Sequence, residues 1–122
     1  MYKRLVLSTL LFAAYLSSAN AQESITPEDA HQYLGKHVVV CGTVANTKYA
    51  PARDGAPTFI DFGQSYPNQV FTAIVWGEDR SNFSYKPEEL KGKNICVSGL
   101  VESDRNHPAI SVSEPSQISQ NK

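Results

Sequence analysis

Two ten-residue segments carry the same pattern and constrain the fold more than anything else in the chain. Gly35-Lys36-His37-Val38-Val39-Val40-Cys41-Gly42-Thr43-Val44 and Gly92-Lys93-Asn94-Ile95-Cys96-Val97-Ser98-Gly99-Leu100-Val101 both read G-K-x-aliphatic-x-V-x-G-x-V. Apolar residues alternating with period two are strand patterning, which puts Val38, Val40 and Val44 on one face and Ile95, Val97 and Val101 on one face of the second segment. Cys41 and Cys96 have the opposite parity, so if the strands are neighbours both thiols turn to the same side.

The N terminus bears on the meaning of those thiols. Lys3 and Arg4 form a positive start, residues 5–16 an apolar stretch too short to span a bilayer, and Ala19-Asn20-Ala21 a small-x-small cleavage site. Residues 1–21 therefore read as a secretory signal peptide, and the mature chain, residues 22–122, as periplasmic or secreted with no stable membrane anchor. In an oxidising compartment Cys41 and Cys96 are candidates for one disulfide. The alternative is two unbridged, half-exposed thiols, because spacing does not set the register that brings Cα atoms within about 7 Å.

Composition excludes several classes. With 122 residues, 41% hydrophobic and 19% charged, the chain has room for one ordinary domain, and it has neither the charge blocks of a disordered segment nor a sustained heptad. Removing the leader with Lys3 and Arg4 leaves nine basic against twelve acidic residues, a net charge of −3.

Turn residues divide the rest into short elements. Thr26 can N-cap a helix over residues 27–34, with Pro27 at its first position, Glu28 and Asp29 in its first turn and Gly35 as its stop. Strands follow at 37–46, 58–62 and 70–76, separated by a loop at 47–57 and a turn at 66–69. Residues 77–91 suggest one or two weak helical turns interrupted at Pro87. Strands at 94–102 and 109–112 close the pattern, Pro115 ends it, and the polar tail after Ile118 is expected to fray. The expected architecture is all-β: a small five-stranded Greek-key barrel of the OB-fold kind over residues 22–118, with a short N-terminal helix and a helical insert between the third and fourth strands. Residues 119–122 form a polar tail.

Several segments also resemble a known family. Gly35-Lys36 with its V-x-V-x-G-x-V, Phe59-Ile60-Asp61-Phe62-Gly63, Tyr66-Pro67-Asn68-Gln69, Phe71-Thr72-Ala73-Ile74-Val75, the second Gly92-Lys93 motif, and Ile110 to Ile118 with Pro115 and Gln117 are similar, in order and spacing, to OB-fold domains of the tRNA-anticodon/helicase type found in exported bacterial nucleic-acid-binding proteins. The resemblance covers nearly the whole mature chain. It implies binding of single-stranded nucleic acid or oligosaccharide on the face of the second and third strands, between the loop joining the first two strands and the loop joining the last two.

Such a site needs aromatic faces for bases and cations along a phosphate track. Tyr49, Phe59, Tyr66 and Trp76 are the candidate rings, with Trp76 and Tyr49 the first choices as exposed platforms. Lys48, Arg53, Arg105 and His107 are candidate cations, and Asp61 is a polar position on the second strand. Four possible phosphate contacts on an acidic chain predict weak, salt-dependent binding. The competing reading is an adaptor that binds a protein or a small anionic or sugar ligand on the same face. A basic groove with two or more exposed rings favours nucleic acid; a neutral or acidic apolar patch favours the adaptor. No enzyme is expected: Asp61, Glu78 and Asp79 do not read as a metal-binding carboxylate cluster, His31, His37 and His107 lack ligand spacing, and neither cysteine has a neighbouring histidine to activate it. No cofactor is expected either.

Overall fold

The first repeated motif opens a 13-residue strand that does two jobs. In the computed structural model, which describes residues 24–121, β2 (His37–Tyr49) follows the two-residue β1 (Ser24–Ile25). Its first half pairs antiparallel with β5 (Asn94–Leu100), and its second half pairs antiparallel with β3 (Thr58–Phe62). Between the halves the register slips at Val44/Asn46. A bulge bends a strand and reverses which side chains face inward. Val38, Val40 and Val44 are buried before it, whereas Asn46 and Lys48 stand opposite Asp61 and Phe59 after it. The strand runs three residues past the expected end at Asn46, so Lys48 and Tyr49 belong to β2 and not to a loop.

β4 (Phe71–Val75) adds antiparallel to β3, and β7 (His107–Ser111) adds parallel to β4. The sheet is finished by β6 (Glu102–Asp104) against β7 and by β8 (Ile118–Gln120) against β5, in the order β6-β7-β4-β3-β2-β5-β8, with β1 on β2. Among the described residues the expected five strands are therefore eight strands of one sheet whose hydrogen-bonded path does not close. The fourth expected strand is split at Val101, which turns its backbone to Lys36 and Gly35. The tail does not fray at Ile118: that side chain is buried and anchors β8 along the free edge of β5.

Among the described residues the helical segments are all 3-10 turns: Pro27–Tyr33, Gly77–Asn82, Pro87–Leu90 and Pro115–Gln117. Thr26 makes no side-chain cap, a correction to its expected role. The turn is held by burial of Pro27 and Ala30, as fits a segment too short to sustain a helix by itself. The repeated glycines explain how these parts approach the strands. A Cβ on Gly42 would lie 2.6 Å from Pro27 Cγ, and one on Gly99 would lie 2.6 Å from Ile110 Cγ2.

Cys41 and Cys96 face each other across β2 and β5 and form a disulfide. The main core lies on the inner side, with Val38, Val40, Ile60, Phe62, Phe71, Ile95, Val97 and Ile110 almost fully buried. A smaller apolar cluster of Ala50, Phe59, Ile74 and Ala109, with Trp76 against it, covers the outer face of β3, β4 and β7. Among the described residues no helix is long and apolar enough to cross a membrane. The expected leader, residues 1–21, lies outside the described residues.

Candidate functional site

The outer face of β2 and β3 is where chemistry-bearing residues gather. Because Lys48 pairs with Phe59 and Asn46 with Asp61, these four side chains share one face. Two loops then fold onto it. The segment 50–57 is tied by backbone bonds from Ala50 to Pro57, Arg53 to Ala50 and Ala56 to Arg53, and its Arg53 guanidinium lies 5.4 Å from the Phe59 ring centre.

The second loop is the tip of the β6–β7 hairpin. Asp104 pairs with His107, so Arg105 and Asn106 alone make the turn, with φ of 49° and 68°. Positive φ at both central residues is what a tight type I′ hairpin requires. The turn carries the Arg105 guanidinium to 4.6 Å from the Phe59 ring centre and 5.4 Å from that of Tyr66, while its Nε donates to Asp104 Oδ2 at 2.9 Å. The result is a cleft of about 160 Å³ lined by Asn46, Lys48, Arg53, Phe59, Asp61, Tyr66 and Arg105.

Asp61 forms part of its floor. It is 3% exposed, and Thr72 Oγ1 donates to its Oδ1 at 3.0 Å. Burial pushes its carboxyl above the ordinary range, opposed by the Thr72 bond, by the charges of Arg105 and His107, and by a bond from the Tyr66 backbone.

Six expected site residues thus meet in the cleft: Lys48, Arg53, Phe59, Asp61, Tyr66 and Arg105. Three do not line it. Tyr49 pairs with Thr58 and so takes the other face, where the Arg80 guanidinium lies 3.6 Å from its ring centre. Arg80 is held there by both oxygens of Glu88, the nearer at 2.8 Å, and by Thr58 Oγ1. Trp76 is half-buried against the outer cluster and supports the first loop: a Cβ on Gly55 would come within 2.9 Å of its ring, and its Nε1 donates to Ser111 Oγ. His107 pairs its Nδ1 with the Arg105 carbonyl, beside the cleft. Phe59, though in the cleft, is no open platform. It is 7% exposed beneath two guanidinium groups, whereas Tyr66 is 60% exposed.

Sequence reasoning missed Asn46 and Thr72. Strand pairing with Asp61 brings in both, and the bulge that turns Asn46 outward leaves no mark in composition. Among the described residues no three His, Cys, Asp or Glu side chains gather as a metal-binding group.

No family model and no curated protein matches the chain. Solved structures do. A protein assigned as an aspartyl-tRNA synthetase of Leishmania major Friedlin is similar over 88% of this chain, with a TM-score of 0.50 and 13% identity. This chain spans only 23% of that protein's length. An OBody bound to hen egg-white lysozyme is similar over 86% of this chain and 99% of its own, with a TM-score of 0.52 and 15% identity. At such identity the likeness is one of fold.

Proposed function

We propose that this chain is an exported binding module on an OB-type barrel and that its cleft takes up single-stranded nucleic acid without cleaving it. The barrel reading is supported by β5 passing into β6 through Val101 alone, so that β2, β3, β4, β7 and the bent β5–β6 strand surround one core. Export is supported by the leader pattern and the disulfide.

The observation that carries the function is the convergence of Lys48, Arg53 and Arg105, from a strand and two loops, around the exposed Tyr66 ring. Cations at this density answer phosphates, and the one exposed ring answers a base, one ring fewer than the two expected of a nucleic-acid face. The OBody's complex with lysozyme favours the adaptor reading, in which the face meets a protein. A cleft with three cations and one carboxylate is better matched to a polyanion.

Titration of the protein with single-stranded DNA, single-stranded RNA and a neutral oligosaccharide across a salt series tests the proposal. The nucleic acids are expected to bind with affinity falling as salt rises, and the oligosaccharide not to bind. Absence of single-strand binding at low ionic strength overturns it and leaves the adaptor.

A further inference from the structure

Phosphate neutralisation accounts for Lys48, Arg53 and Arg105 but not for the carboxylate beneath them. Asp61 is almost wholly buried, yet its bonding partners are the Thr72 hydroxyl and the Tyr66 backbone, both neutral donors. Arg105, whose charge acts on it, gives its Nε to Asp104 instead. A buried carboxylate without a direct ion pair is costly, and a phosphate lodged against it would add like-charge repulsion. Its presence in the cleft is explained by a ligand that donates to it.

The shape of that ligand follows from the walls. One is the Tyr66 ring, and another is the Arg105 guanidinium, a plane held near both Phe59 and Tyr66. Planar walls beside the Asp61 acceptor suit a nucleobase, whose whole face is flat and whose edge carries N–H donors; a phosphate has neither. The cleft volume of about 160 Å³ is below the roughly 300–1,000 Å³ of drug-sized pockets and is on the scale of one base.

The floor also discriminates between bases. An ionised carboxylate has about four lone-pair sites and no donor, so beyond Thr72 and Tyr66 it can accept two further N–H groups side by side. Guanine presents such a pair, N1–H and N2–H, on its Watson–Crick edge. Adenine, cytosine and thymine each place a ring or carbonyl acceptor next to the donor, and that acceptor would face the carboxylate. Asn46, directly across from Asp61 on β2, supplies a donor for guanine O6.

Resting on the nucleic-acid reading above, we infer that the cleft holds one guanine base, stacked on Tyr66 and Arg105, with its N1–H and N2–H donating to Asp61.

The test uses the protein and thymidine oligonucleotides of one length carrying a single central guanine, hypoxanthine, adenine or cytosine, titrated at fixed low salt. Guanine is expected to bind about five- to a hundredfold more tightly than adenine or cytosine, the discrimination of one good bidentate contact. Hypoxanthine, which lacks the N2 amine, is expected to fall toward the others, and Asp61→Asn to bring guanine down with it. The hypoxanthine comparison needs no variant, so it stands even where Asp61→Asn fails to fold. Equal affinity for all four oligonucleotides, or a preference for adenine or cytosine, overturns the guanine inference while leaving nucleic-acid binding intact. No binding to any of them overturns both.

Discussion

At Phe59 the difference between a ring on a binding face and a ring available to a ligand is visible in one residue. Arg53 and Arg105 both rest on it, so Tyr66 is the cleft ring left open and charge is gathered above the sheet. Tyr66→Ala is expected to weaken single-strand binding by about 1–3 kcal/mol with little change in salt dependence, because stacking releases few counterions. Replacing Lys48 and Arg53 together by Ala is expected to flatten the slope of log K against log salt by about 1.4, at about 0.7 for each phosphate left without its cation. Parallel salt titrations of the two variants separate these effects. The residue types of the site were legible because few side chains can bind a base or a phosphate. Tyr49 and Trp76 were misplaced because their roles depend on which face a bulged strand presents and on what a loop covers, neither of which is written in residue type.

Elements were most legible where punctuation is strict. β3 matches its expected bounds residue for residue, since Pro57 and Gly63 flank a run with strong β propensity. β4 is shorter by one residue at each end. The N-terminal segment misled because Thr26-Pro27 carries a helix-start signal that seven residues in a 3-10 turn do not use. With no cap bond to lose, Thr26→Ala is expected to shift stability by less than about 0.5 kcal/mol, as for an ordinary exposed site, which thermal denaturation checks. The twin motif was legible as two strands with outward cysteines, and their direct pairing follows from register. The bridge closes a loop with a sequence separation of 55. On the chain-entropy account its reduction is expected to cost about 4 kcal/mol, read as the shift in urea unfolding with and without reductant. An unshifted unfolding curve on reduction would show that pairing between β2 and β5 holds the native state without the bond.

Asp61 and Glu88 pull the stability of the whole molecule in opposite directions as pH changes. Asp61 is raised above 3.8 by burial, so the folded state holds its proton at pH values where the unfolded chain has released it. Its charge therefore weakens the fold above the folded pKa, and stability recovers as pH falls through that value toward 3.8. Glu88 behaves in the opposite way: the Arg80 hydrogen bond holds it below 4.5, so its contribution is present above 4.5 and lost as pH falls through its folded value. The Glu88–Arg80 pair ties the Pro87–Leu90 turn to Thr58 of β3 and to the Tyr49 ring of β2, on the side of the sheet away from the cleft. Acidification through the Asp61 transition is thus expected to add stability, and acidification below 4.5 to remove the Glu88 contribution. In urea unfolding measured across that range, Asp61→Asn is expected to remove the rising limb and Glu88→Gln to reduce the acid fall. A rising limb that survives in Asp61→Asn would assign the acid stabilisation to another group and leave the buried carboxylate without a cost to the fold.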